Sequence, residues 1–329
     1  MRVLSSPYPL VLAPILMEKV WGGRRLERFG KKLQPGAMIG ESWELADLAS
    51  TSASGAGGGA ARSTIVNGPL AGKTVHDALD AWGASLLGRA RRTESGGLPL
   101  LIKFLDAREN LSVQVHPSPA FASAHPDAHL KTECWIILDA EPGAVIYKGI
   151  RAGVDRATLQ RHITEGTAVN DLVAVPAVVG ECHNLPSGTC HALGAGVLVA
   201  EVQTPSDTTF RVYDWGRTGR ELHISQALEC IEFGPAPDAT RLEAGRERGL
   251  LVETEFFRVE RARTRAEFPG TDAMTALVVL DGKGTLTGPG GSVEVQRGNT
   301  ALLPAACSAQ CVIRPRQDLD LLVVTCEPR

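Results

Sequence analysis

The sequence predicts an all-β fold with a few helices, and three observations predict it. Short β-rich runs punctuated by Gly and Pro fill most of the 329 residues, which is the pattern of a sandwich or barrel. Helical periodicity is confined to three stretches. The third observation is an internal repeat, which predicts that the β unit occurs twice.

The strands read in order are "PLVLAPIL", "LPLLIKFLDA", "NLSVQVH", "ECWIILDA", "GAVIYKGI", "GVLVAEVQT", "TFRVYDW", "ALVVLDG", "GTLTG", "SVEVQRG", "TALLPA" and "LDLLVVTC". The first helix is "TVHDALDAWGASLLG", with Thr74 as N-cap and Ala78, Leu79, Trp82, Leu86 and Leu87 on one face. Residues 155–166 and 220–233 are the other two, followed by a linker over 234–249. "SASGAGGGA" at 52–60 can bury almost nothing and reads as a surface loop.

In the repeat, "WIILDAEPG" (135–143) resembles "LVVLDGKG" (277–284), and "GECHNLPSGTCH" (180–191) resembles "GNTALLPAACSA" (298–309). The two pairs are offset by 142 and 118 positions, so the first copy carries 24 extra residues. The candidate helix within 151–175 supplies them as an insertion.

Net charge is −3 with both signs interspersed and no basic run, so the footprint of a nucleic-acid binder is missing. Pro9 and Pro14 interrupt the apolar N-terminal stretch, and no run approaches the length of a membrane span. A cytoplasmic protein is the expectation. Seven cysteines without a CxxC pair, mostly inside apolar runs, are read as buried free thiols.

Chemistry concentrates in "LSVQVHPSPAF", where a strand sends Gln114 and His116 to one face. The second repeat motif, "GECHNLPSGTCH", matches the second cupin motif: a Gly, five residues, Pro-x-Gly, two residues and a His. Ala195 departs from it, standing where that motif has Asn. In order along the chain, "KFLDARENLSVQVHP", "HLKTECWIILDAEPG", "SGTCHALGAG" and "DTTFRVYDWGR" resemble the compact bacterial type I phosphomannose isomerases, which are zinc-dependent cupins. The likeness extends upstream through "WGG" and "GESWEL", where Trp21 and Glu44 line a pocket or simply pack.

That resemblance implies two cupin (double-stranded β-helix, jelly-roll) barrels, the first spanning 1–240 with its insertion and the second 241–329. It also implies one zinc ion per chain on Gln114, His116, Glu133 and His191. Such a ligand set, with one carboxylate and no thiolate, suits an open Lewis-acidic site, although on ligand rules alone Fe or Mn fits as well. The implied reaction interconverts mannose 6-phosphate and fructose 6-phosphate by proton transfer through an enediol.

Lys131, two residues before Glu133, takes the family's active-site lysine position, and Asp207 and Arg211 match its Asp and Arg. Arg211 is assigned with Lys131 to substrate binding, and Asp207 to ring opening or to orienting a neighbour. An Fe-dependent cupin dioxygenase and a non-catalytic sugar-binding cupin are the rival readings. In the second copy Thr275 stands for Glu133 and Ala309 for His191, so that barrel is expected to hold no metal. His76, His125, His129, His162, His183 and His223 are read as surface or capping residues.

Overall fold

The computed structural model describes residues 6–52, 57–125 and 128–326. The chain is mostly β and cupin-like, with four sheets stacked as layers. The first is five-stranded, in the order Leu172–Pro176, Val145–Ile150, His191–Leu193, Val113–Val115, Phe210–Tyr213. It faces a seven-stranded sheet ordered Thr240–Arg241, Glu181–Leu185, Glu133–Ala140, Val197–Gln203, Leu101–Ala107, Ile39–Leu45, Ile15–Gly23. Ile146 and Leu193 of the first layer pack on Leu105, Trp135, Ile137 and Val199 of the second.

The third layer is also seven-stranded and holds Thr275–Asp281 and Leu319–Thr325 at its centre. Its partner is a four-stranded sheet running from Phe268–Pro269 to Gly291–Gln296. Leu277, Val279 and Leu321 meet Leu286, Val295 and Ile313 between them. The second and third layers join back to back through the largest core cluster, where Phe104, Ile136 and Val202 meet Ala276, Val278 and Val324. No sheet closes on itself among the described residues, where two closed barrels are expected from the sequence.

The first strand, Leu10–Ala13, lies in the third layer, paired with Thr300–Leu302. A buried ion pair also sits at the joint between layers two and three, where Thr300 Oγ1 donates to Glu44 Oε2 at 3.4 Å. Lys31 Nζ lies 2.7 Å from Glu44 Oε2 and donates to Gly298 O at 2.6 Å. Glu44 therefore braces the two halves, and Trp21 packs inside the first pair of sheets.

The predicted helix at 74–88 is two helices, Val75–Trp82 and Ala84–Leu87. Gly83 separates them with φ +50°, a conformation that breaks the helical ladder. Thr74 forms a capping box with Asp77, and all five predicted inward residues are buried. Asp155 caps Arg156–Thr164. The third helix is shorter than predicted, Ile224–Cys230, because Glu221 O and His223 N–H are held by Arg211 on the neighbouring strand.

The stretch 234–249, read as a linker, is tied down: Thr240–Arg241 pairs with Glu181–Cys182 and Pro235 bridges Gly149. Of the predicted loop 52–60, residues 53–56 lie outside the described residues, and 57–60 are exposed. All seven cysteines are buried free thiols. No helix among the described residues is long and apolar enough to cross a membrane.

Candidate metal centre

The site forms where the first two layers face each other. Direct cross-strand pairing sets Lys148, His191, Gln114 and Arg211 in one line across the first layer. Residues so paired project to the same side. In the second layer Glu133 is the first residue of its strand, opposite Leu185 and Gln203. His116 follows the strand Val113–Val115 directly.

His116 and His191 are each fixed by a backbone carbonyl. His116 Nδ1 donates to Thr208 O at 2.9 Å, and His191 Nδ1 to Thr189 O at 2.8 Å. Both rings thereby present Nε2 as a lone pair, the orientation that metal-binding imidazoles take. His116 Nε2 lies 3.4 Å from Glu133 Oε2 and His191 Nε2 lies 3.3 Å from Glu133 Oε1. The three ligand atoms lie within 4.8 Å of one another. Gln114 Nε2 approaches His191 Nε2 at 3.4 Å, and rotation of the amide by half a turn would offer the oxygen.

Glu133 is completely buried, with the Lys131 ammonium against Oε2 while Oε1 accepts no hydrogen bond among the described residues. A buried carboxylate needs a cation beside it, and a divalent ion on Glu133, His116 and His191 would fill that role in place of Lys131. The donor set fits such an ion. Burial and the adjacent Lys131 ammonium push the His116 imidazole down to about 3. Burial likewise lowers His191. Burial alone would raise Glu133, but Lys131, His116 and His191 together outweigh it and hold the carboxyl well below the usual range.

Lys131 precedes its predicted strand by two residues and nevertheless reaches the centre. Its Nζ stands 2.7 Å from Glu133 Oε2 and 3.1 Å from His116 Nε2. Arg211 is buried one strand beyond Gln114 and donates from Nη1 to Glu221 O at 2.6 Å. Burial and the neighbouring Arg220 and Arg217 lower its pKa, and Nε has no partner among the described residues. Asp207 is turned elsewhere: its Oδ2 accepts from the Ser52 N–H, and it lines a separate cavity of about 920 Å³ with His129 and Phe256.

A second buried polar line was not foreseen. His183, Trp135, Glu201, Lys103 and Trp43 are cross-strand partners across the second layer. Trp135 Nε1 donates to Glu201 Oε2 at 2.9 Å, and Lys103 Nζ lies 3.2 Å from Glu201 Oε1. Trp135 also stands edge-on to His191, ring centroids 5.2 Å apart. Burial would lower Lys103, but Glu201 and Glu41 outweigh it and raise its pKa. Single charges inside the apolar runs "LLIKFL" and "VLVAEV" were the available signal.

The surface reading of His183 is corrected here. It is fully buried because it faces inward beside Trp135; neither ring nitrogen makes a hydrogen bond among the described residues, and Nε2 lies 3.6 Å from Glu181 Oε2. In the second copy Thr275 opens its strand as Glu133 does, and its hydroxyl bonds Thr271 at 2.5 Å and the Ala273 carbonyl at 3.0 Å.

Comparison with known proteins decides the family. A family model described as phosphomannose isomerase type I, catalytic domain, matches residues 10–140. A probable mannose-6-phosphate isomerase of Bacillus subtilis is 36% identical over 312 residues, covering 91% of this chain and 94% of that one. The chain belongs to the type I phosphomannose isomerases. The mannose-6-phosphate isomerase of Streptococcus mutans is 34% identical over 90% of this chain and 92% of its own.

Among solved structures, the mannose 6-phosphate isomerase from Bacillus subtilis superposes with TM-score 0.81 at 31% identity, over 96% of this chain and 99% of that one. A mannose 6-phosphate isomerase described as holo and zinc bound shares the fold, with TM-score 0.75 at 18% identity, over 98% of this chain and 100% of that one. Membership of this family makes the chain an isomerase.

Proposed function

We propose that the chain is a zinc-dependent aldose–ketose isomerase interconverting mannose 6-phosphate and fructose 6-phosphate, with one ion per chain on Gln114, His116, Glu133 and His191. One observation carries the reading: the completely buried Glu133 sits between two imidazoles whose Nε2 atoms converge on it at 3.4 and 3.3 Å, all three ligand atoms lying within 4.8 Å of one another. The relatives' names and the zinc-bound neighbour point the same way.

When bound, zinc supplies a Lewis acid for the oxygen on which charge develops. Lys131 acts as the base that takes a proton from C2 of the aldose and returns it at C1, through an enediol. Arg211, a buried guanidinium with an unpartnered Nε among the described residues, binds the phosphate or the developing charge. Asp207 acts on ring opening or, through its hold on Ser52, orients the wall carrying Thr208. We propose further that the chain divides near residue 240 into a catalytic part and a metal-free brace, the first strand belonging to the latter's sheet.

The test is a coupled assay of mannose 6-phosphate conversion with chelator and with added zinc. His116→Ala should lose both bound metal and turnover. Lys131→Ala should keep the metal and lose turnover. Full activity in a demonstrably metal-free His116→Ala protein refutes the reading.

A further inference from the structure

Gln203 closes the inward face of the strand Val197–Gln203, directly opposite Glu133, and is completely buried. Its amide nitrogen donates to Thr204 O at 2.8 Å and to Ser206 O at 2.6 Å. Carbonyl oxygens only accept, so these two bonds fix which end of the amide is which. Oε1 is thereby turned away from them. It has no partner among the described residues, which for a buried acceptor calls for an occupant.

Lys131 is a candidate donor on the facing segment. Thr204 N–H donates to Thr132 O at 3.0 Å, which carries the strand pairing one step past Glu133. Lys131 and Gln203 are then diagonal neighbours, a separation that long side chains span. The Lys131 ammonium now contacts Glu133 Oε2 and His116 Nε2, two atoms that a divalent ion would need. An ion there repels the ammonium and takes both contacts from it, so its N–H groups require another acceptor.

We propose that Gln203 Oε1 is that acceptor, and that Gln203 is a positioning residue for Lys131. By drawing the ammonium away from Glu133, it removes an internal competitor for the metal. By holding the amine at one point beside the centre, it sets the place from which the amine works. This rests on the metal reading given above and assigns to Gln203 a role within the same site.

Zinc affinity, measured by competition with a chromophoric chelator, tests the coupling in the full-length wild type, Gln203→Met, Lys131→Met and the double variant. Circular dichroism checks that each is folded. Gln203→Met should weaken zinc binding by roughly tenfold while Lys131 is present, the scale of a lost outer partner. In the Lys131→Met background the same change should matter by roughly twofold or less, as for uncoupled sites. Zinc-loaded wild-type crystals should place Lys131 Nζ in hydrogen-bond contact with Gln203 Oε1.

Equal weakening in both backgrounds overturns the proposal, because loss of the bonds to Thr204 and Ser206 alone produces that. No weakening in either background overturns it too. If no variant binds zinc, wild type included, the metal reading fails and takes this inference with it.

Discussion

Replacing His183 by Phe should flatten part of the acid dependence of stability. Burial and the nearby Lys148 ammonium push the His183 imidazole from 6.5 down to about 4 in the folded protein. A base with a depressed folded pKa is protonated first in the unfolded chain, so stability is intact above 6.5 and is lost as pH falls toward 4. At about pH 5 the linkage amounts to about 2 kcal/mol, and at about pH 7.5 to almost nothing. Urea unfolding with chelator present, so that metal release does not contribute, measures the loss between those two pH values. The wild type should lose about 2 kcal/mol more than His183→Phe across this interval. Equal losses would refute the reasoning, because His183 would then titrate alike in both states. A gap of opposite sign would mean that the buried ring is charged when folded.

The ion pair at the central joint gives another test: Lys31→Met should destabilise by about 3–5 kcal/mol, because it strands Glu44. Lys31→Met combined with Glu44→Met should recover much of that in the same unfolding assay. Thr74→Ala should cost about 1 kcal/mol through loss of the cap, with turnover unchanged because the helix is remote from His116 and Glu133. Chelation should lower the thermal midpoint, by about 2.7 kcal/mol of stability where free zinc stood at a hundred times its dissociation constant. Dialysis against zinc should restore both midpoint and activity.

Much of the candidate centre was legible because its parts sit in local patterns. Gln114 and His116 are two apart in an alternating run, Glu133 opens a clear strand, and His191 follows a Pro-Gly turn. Asp207 was opaque because its carboxylate meets Ser52, 155 positions away, and no local signal reports such a contact. His183 was misread for another reason. The second layer is covered on both faces, so Cys182, His183 and Leu185 are all buried and alternation disappears. The same double burial hid the back-to-back stacking: periodicity says that a strand is buried, not which sheet covers it. Gly83 illustrates the limit for helices, since the apolar stripe continues through the break that its backbone makes.

The pairing of Leu10–Leu12 with Thr300–Leu302 also has a consequence for how the molecule is made. On the ribosome the first strand emerges about 290 residues before this partner. At ordinary elongation rates the wait is on the order of tens of seconds. Throughout it, Leu10 and Leu12, which end buried, have only the short strand Thr64–Ile65 to pair with. Completion of the third layer therefore waits until the chain has passed residue 302, and a nascent chain halted before residue 300 carries an unclosed apolar edge for chaperones to guard.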